Sequence, residues 1–288
     1  DIPCRTLRCR YERNNGYGRL MTKNTESIYD AVKGETRMVC LQGCPRRLRP
    51  FLCGRLVRDF DIKNCHPILL YELLRELTFD SPRALPEMST LEDYILDRAA
   101  FIETVAERYG VRETVPGRRK ELVKTLIIRM IFGGHPSTWE KEHGLDEHSR
   151  PPDVQRLYDE LTELRVAVFE SRQWRAHVQT ERRRLEREGG KDAGAIDRSI
   201  FARIAQAEED RMLTAMRHSA AAQGFQVLSL QYDGFFLSVG DDHERRVDLD
   251  AMAAKIKEET GYVVEVVEKE LFFDSEWPTL QLGDDDDG

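Results

Sequence analysis

Apolar residues recur at helical spacing through most of the chain and alternate with polar ones only toward its two ends. Leu56 to Ile62 reads as a short strand, reached through a basic, proline-punctuated segment that begins at Leu41. Pro67 then opens a helix, where its missing N–H goes unneeded, and Ile68, Leu69, Leu70, Leu73, Leu74 and Leu77 give that helix an apolar face. It is expected to stop between Thr78 and Pro82. The same periodicity predicts one helix over Leu91 to Tyr109 and another over Arg118 to Phe132, the second ended by Gly133, Gly134 and Pro136. Pro152 to Arg187 reads as a single long, highly charged helix, and Gly189 to Ala195 as the best internal linker. After a helix from Ile200 to Ala222, two β runs, Gln226 to Leu230 and Gly234 to Val239, flank a Tyr232-Asp233-Gly234 hairpin turn. A helix over Asp248 to Glu259, a stop at Gly261 and a strand over Tyr262 to Phe273 complete the pattern, with no internal repeat. Strands near both ends with helices between them predict an α+β fold, a small sheet covered by helices. That layout brings Asp61, at the end of an early strand, within reach of Asp233, at the tip of a late hairpin.

With 288 residues, 40% of them apolar and 33% charged, the chain can bury one large core or two modest ones. No apolar run approaches the roughly 18 residues of a membrane helix, and DIPCRTLRCRYERNNG at the start shows no secretory signal. The expectation is an intracellular protein of a reducing compartment with no membrane partner. The missing initiator Met suggests a fragment or a processed product. A net charge of -8 argues at first against a partner as negative as nucleic acid. Along the chain, however, Asp1 to Arg58 carries 13 Lys and Arg against 5 Asp and Glu, whereas Gly240 to Gly288 carries 5 against 16. The basic start can face a polyanion, and Asp284 to Asp287 reads as part of a solvated, disordered tail. All six cysteines (Cys4, Cys9, Cys40, Cys44, Cys53 and Cys65) lie in the first 65 residues. Cys4/Cys9 and Cys40/Cys44 can be pictured as a four-thiolate zinc site, but their gaps are looser than CxxC, and buried free thiols are the simpler reading.

Two carboxylates from distant segments, one at a strand end and one in a hairpin turn, are what a two-metal phosphoryl-transfer site requires. Mg²⁺ takes oxygen ligands and keeps several waters, so one or two carboxylates plus substrate phosphates suffice, and Mn²⁺ can stand in for it. A triphosphate needs cations as well. Lys120 and Lys124, four residues apart on one helix face, can supply them together with Arg129. Each residue also has a plainer role: Asp233 as a turn former, Asp61 as a helix cap, the lysines as a solvated face.

Taken together, these elements resemble the palm and fingers of family A DNA polymerases and the related single-subunit phage-type RNA polymerases. Gly18-Arg19-Leu20 resembles the Gly-Arg element that opens the palm, and Leu41-Gln42 with Pro45 to Arg49 the segment that follows it. Asp61-Ile62-Lys63-Asn64-Cys65-His66-Pro67 falls where the family has motif A, and its His-Pro ending also resembles the family B form. Lys124 to Gly133, KTLIIRMIFG, fits motif B, and Tyr232-Asp233-Gly234 sits between strands as motif C does. The resemblance spans about residues 16 to 273.

It implies a palm with a small antiparallel sheet and a helical fingers insertion. The palm comprises residues 1–66 and 200–277, the fingers 67–199, and 278–288 form the tail. It also implies that Asp61, the Ile62 carbonyl and Asp233 bind the metals. Lys124, Lys120 and Arg129 would bind the triphosphate, with Phe132, Asn64 and His66 around the base and sugar. Arg19, Gln42, Arg46 and Arg49 would contact primer-template nucleic acid. His66 falls where the family discriminates against a ribose 2′-hydroxyl, and Gly234 replaces its second motif C acid. With little length for a thumb or proofreading domain, the chain is expected to need a missing N-terminal domain or an accessory protein. The implied function is a template-directed polymerase that uses nucleoside triphosphates, DNA before RNA. The alternatives are an RNA polymerase or primase, a non-catalytic nucleic-acid-binding protein on a polymerase-like scaffold, and a two-metal nuclease.

Overall fold

The computed structural model describes residues 10–13, 19–23, 28–30, 35–37, 41–42, 49–53, 56–77, 87–112, 117–238 and 245–271. Two short antiparallel hairpins come first, β1 (Arg10–Arg13) with β2 (Leu20–Lys23) and β3 (Ile28–Asp30) with β4 (Glu35–Arg37). A short helix, α1 (Arg49–Cys53), leads into β5 (Val57–Ile62). Helices follow in series: α2 (Cys65–Leu77), α3 (Ser89–Leu96), α4 (Arg98–Arg108), α5 (Arg118–Ile131), α6 (Pro136–Glu142), α7 (Pro152–Glu170), α8 (Arg175–Glu188) and α9 (Ala193–Ala222). The chain then returns to strands, β6 (Val227–Leu230) and β7 (Gly234–Ser238), and adds α10 (Leu249–Thr260) and β8 (Val266–Lys269).

The central sheet has the order β6-β7-β5-β8, with every neighbouring pair antiparallel. Strand side chains alternate between faces. Phe60 and Ile62 of β5 and Phe235 and Leu237 of β7 accordingly join Met212, Met216, Met252 and Ile256 from α9 and α10 in one core. Val57 and Phe236 pack with Cys53 on the other side. A second, larger core lies among the helices, from Leu70 and Leu73 of α2 through Leu126 and Ile127 of α5 to Leu157 and Leu164 of α7. Two helices serve both cores. Leu69 of α2 and Met212 and Met216 of α9 enter the sheet core, while Leu73 of α2 and Ile196, Ile200 and Ile204 of α9 enter the helical one. Phe132, at the end of α5, packs against both.

The α+β layout is the one expected, with local corrections. The helix expected over Leu91 to Tyr109 is broken at Asp97, whose side chain accepts from the Ala100 N–H at 3.0 Å and so starts α4 afresh. The long helix expected from Pro152 to Arg187 is likewise two helices. Ser171 ends α7 by donating its hydroxyl to the Val168 carbonyl at 2.7 Å, and its oxygen accepts from the Trp174 N–H at 3.2 Å ahead of α8. Of the expected linker Gly189 to Ala195, only residues 189–192 connect the helices, since Asp192 caps α9 by accepting from the Ala195 N–H at 2.7 Å and Ala193 to Ala195 are its first residues. Helix α9 therefore runs unbroken through residues 199 and 200, where a domain boundary was drawn. Pro136 begins α6 as well as ending the previous segment. The first two hairpins were not expected, and the last strand is shorter than expected. Residues 278–288, together with Cys4, Cys9, Cys40 and Cys44, lie outside the described residues, and Cys53 and Cys65 are buried free thiols. Among the described residues no helix is long and apolar enough to cross a membrane.

Candidate active site

Asp61 and Asp233 are neighbours across two paired strands. In the register of β5 and β7 Asp61 faces Gly234, and the Ile62 N–H donates to the Asp233 carbonyl at 3.1 Å. The hairpin turn is closed by the Gln231 N–H, which donates to the Gly234 carbonyl at 2.8 Å. Glycine is required at 234: a Cβ there would lie 2.0 Å from the Phe60 carbonyl oxygen and 3.0 Å from the Asp61 Cα. The approach that brings the two aspartates together thus excludes any side chain, and with it a second acid, at that position.

Beyond β5 the backbone turns at Asn64, whose φ of 48° lies in the left-handed region that Asn tolerates. Helix α2 begins at the next residue, which places Cys65, His66 and Pro67 directly below the aspartates. The Asn64 side-chain oxygen accepts from Arg98 Nη1 at 2.9 Å, and the Arg98 guanidinium lies 5.9 Å from the centroid of the Tyr94 ring.

These groups line a cavity of about 380 Å³ with contributions from both cores. Of the residues singled out in the sequence, Arg19, Asp61, Ile62, Asn64, His66, Lys124, Phe132 and Asp233 line it. Lys124 is about one-third exposed, and its one ion pair among the described residues is with Glu121, one turn back, at 3.4 Å. The Phe132 and His66 rings meet edge to face with centroids 5.0 Å apart.

The remaining residues singled out sit elsewhere. Lys120 shares the helix of Lys124 but not the cavity. Arg129 is turned away to the end of α5. Its Nη2 donates to Glu142 at 2.7 Å and its stem underlies Gly134, so it ties α5 to α6. Gln42 is buried and uses its side-chain amide on β2, accepting from the Thr22 N–H at 3.0 Å and donating to the Leu20 carbonyl at 3.2 Å. Arg49 Nη2 donates to the Gln42 carbonyl at 3.4 Å. Arg46 lies outside the described residues.

Several cavity residues gave no signal in the motifs. Glu209 of α9 is fully buried, and Arg19 grips it with two bonds, Nε at 2.7 Å and Nη2 at 2.6 Å. Burial nevertheless pushes the Glu209 carboxyl up to about 8, against the pull of Arg19 and with the help of Asp233 and Asp210. Arg19 also lies 4.5 Å from the centroid of the Tyr232 ring, so its guanidinium is fixed on two sides. The neighbouring Asp210 pairs with Arg13, which pins the β1–β2 hairpin to α9. Lys269 of β8 reaches back to Asp61 as an ion pair, and Gln206 completes the lining from α9. The available signal was periodicity, because Glu209 falls in a stripe with Phe201, Ala205 and Leu213, where an apolar residue is expected.

Burial, reinforced by the Arg19 charge, lowers the His66 imidazole to about 4, so it is neutral at physiological pH. Its Nε2 is buried without a hydrogen-bond partner and lies 3.7 Å from Glu209 Oε1. Cys65, His66 and Glu209 bring ligand atoms within 4.8 Å of one another. They do not fit a thiolate metal site. The Cys65 thiol is raised well above its usual value by burial and by the charges of Glu209 and Asp233, and the Glu209 oxygens are already held by Arg19. The aspartate pair has the chemistry that a hard divalent cation takes: both residues line the same cavity, and Asp61 is paired with the Lys269 ammonium.

No protein-family model and no curated protein matches this chain. Among solved structures it is similar to the POL domain of Pol1 from M. smegmatis, determined in complex with DNA primer-template and dNTP, with a TM-score of 0.51 and 14% identity. The match covers 87% of this chain and 44% of that one, so the chain spans less than half the length of its structural neighbour. The small antiparallel sheet with its helical insertion is a polymerase-like α+β fold.

Proposed function

We propose that the chain is a template-directed nucleotidyltransferase: a primer 3′-hydroxyl attacks the α-phosphate of a nucleoside triphosphate, and pyrophosphate leaves. One juxtaposition supports the reading. Asp61 and Asp233 share a cavity with Lys124 and Phe132, which lie on a helix from the other core. A carboxylate pair alone would suit a nuclease, whereas carboxylates opposite a helix-borne lysine suit a bound triphosphate.

Asp61 and Asp233 hold divalent cations, Mg²⁺ first and Mn²⁺ as a substitute. When bound, these activate the attacking hydroxyl and neutralise charge on the leaving group. Lys124 binds the triphosphate, and Arg98, which donates to neutral Asn64 and lies beside the Tyr94 ring, is placed to assist it. Arg19, fixed between Glu209 and Tyr232, presents its guanidinium to the primer end. Phe132 and the neutral His66 form the wall for base and sugar, and an imidazole packed against that ring narrows the sugar end in favour of a deoxyribose.

Primer extension on a longer template, run separately with deoxyribonucleotides and ribonucleotides, tests the proposal. Template-dictated, Mg²⁺-dependent addition of deoxyribonucleotides is the expected result. No addition with either sugar, from a protein that binds the duplex, would overturn it in favour of a binding scaffold.

A further inference from the structure

The described helices carry a second cationic feature, away from the cavity. Helix α8 buries only Val178 and Leu185, and its solvent face is rich in arginine. Arg172, in the turn before it, and Arg175, Arg183 and Arg187 are all exposed, and none pairs with a carboxylate among the described residues. Their neighbours differ. Arg182 is bound to Asp197 at 2.7 Å, and Arg184 is bound to Glu181 and Glu188. The acids of this region are therefore largely spent on the flanks, with Glu186 left on the solvent face. At a rise of about 1.5 Å per residue, Arg175 to Arg187 spans about 18 Å.

Beside this ridge lies a groove of about 550 Å³ between α7 and α8. It is lined by Val166, Phe169 and Val178, by Arg175, Gln179 and Arg182, and by one carboxylate, Glu170. Cations along an edge with an aromatic, apolar recess beside them suit a single nucleic-acid strand, whose phosphates follow the charges while its bases leave water. A duplex offers no unstacked base to such a recess.

Between the groove and the cavity stand two further arginines. Val166 follows Arg165, whose Nη1 lies 3.4 Å from the Gly133 carbonyl oxygen, next to the cavity residue Phe132. Arg198, likewise exposed and unpaired among the described residues, packs against the same glycine.

We propose that the α7–α8 edge is a track for single-stranded nucleic acid, and that it holds the unpaired template strand ahead of the primer end. The identity of the strand rests on the polymerase reading, whereas the track itself rests on the ridge and the groove.

The test uses the full chain and a triple variant, Arg175→Gln, Arg183→Gln and Arg187→Gln, which retains helix propensity on an exposed face. Affinity is measured by fluorescence anisotropy against salt for a primer-template with a 5′ template overhang of about 2 or about 12 nucleotides, long enough to span the ridge. Extension of the short overhang is followed in parallel. The wild-type protein is expected to bind the long overhang more tightly, and the variant to lose that preference. The slope of log affinity against log salt on the long overhang should fall by about 2, at roughly 0.7 per released phosphate contact. Extension on the short overhang should not change. An unchanged slope and an unchanged overhang preference in a folded variant would overturn the track while leaving the polymerase reading intact. Equal losses on blunt duplex and overhang would also overturn it, since the ridge would then be a general polyanion surface. If the wild-type protein extends nothing but the variant still loses the overhang preference, the track is supported and the polymerase reading fails.

Discussion

At the cavity where they meet, the sheet core and the helical core hold their polar groups in opposite ways. On the sheet side three carboxylates are buried and committed, and only Asp233 is left half-buried: Asp61 is 6% exposed and paired with Lys269, Glu209 is 0% exposed and paired with Arg19, and Asp210 is paired with Arg13. On the helical side Lys124 is solvated and touches a carboxylate only within its own helix, and Arg98 meets a neutral amide. Under the proposed function, carboxylates that would face a cation in fixed geometry are for the most part built into the packing. Groups that await a mobile anion are left in water, where their desolvation is deferred until the anion arrives. Breaking the committed pairs or the close strand approach of the sheet side should therefore cost stability, and removing the cavity-facing cations of the helical side should cost ligand affinity alone.

The sharpest way to break that contrast is Gly234→Ala. The added Cβ meets backbone on β5, which cannot move aside as a side chain can, and the expected cost is about 4 kcal/mol or more in denaturant unfolding. A cost within about 0.5 kcal/mol would show that the β5–β7 approach is loose.

Arg19→Ala removes the partner of a buried carboxyl, at an expected cost of about 3 kcal/mol once that carboxyl is charged, above pH 8. The sign of its pH dependence follows from the raised Glu209 value of about 8. A raised carboxyl favours the fold below its unfolded value, near 4.5, and that contribution is lost as pH rises through 8. Without Arg19 the carboxyl rises further. The cost of Arg19→Ala, read from unfolding midpoints, should thus grow as pH is raised through 8, and a cost independent of pH from 6 to 10 would contradict the pairing.

His66 gives the opposite sign. Its lowered value of about 4 means that the neutral ring's contribution is present above pH 6.5 and lost as pH falls to 4, by up to about 3 kcal/mol. In the His66→Gln variant this acid-side loss of stability should disappear.

On the helical side, Lys124→Ala should leave stability within about 0.5 kcal/mol, since its ion pair is exposed and local. The same change should raise the half-saturating nucleotide concentration about 10- to 100-fold, as loss of one charge-assisted bond does.

The legible parts of the site were those written in local pattern. The alternation around Phe60 and Ile62, the Asp-Gly turn and the amphipathic run before Gly133 placed Asp61, Asp233 and Lys124 on their elements without reference to partners. What stayed hidden depends on contacts between distant segments. Glu209 reads as one more acid in a charged helix until Arg19, 190 residues earlier, is seen to hold it. The first hairpin has mostly polar strands with only Tyr11 and Leu20 packed on the sheet core, and the Tyr11 hydrogen bond to Ser229 at 3.2 Å and Arg13 on Asp210 help secure it. Arg129 was read as a substrate cation because spacing along a helix gives a direction but not the neighbour waiting there, which is Glu142. The breaks at Asp97 and Ser171 escaped notice because each is a single polar cap inside an otherwise continuous apolar period.

The most direct measurement is single-turnover primer extension by Asp233→Asn with Mg²⁺, beside its affinity for the same primer-template. Asn keeps the turn and the hydrogen-bonding shape but removes the charge that holds the cation. Incorporation should fall by about 10³-fold or more while duplex affinity and the unfolding midpoint stay near those of the wild-type protein. Near-normal incorporation by the folded variant would contradict the assignment of the aspartate pair as the metal-binding centre.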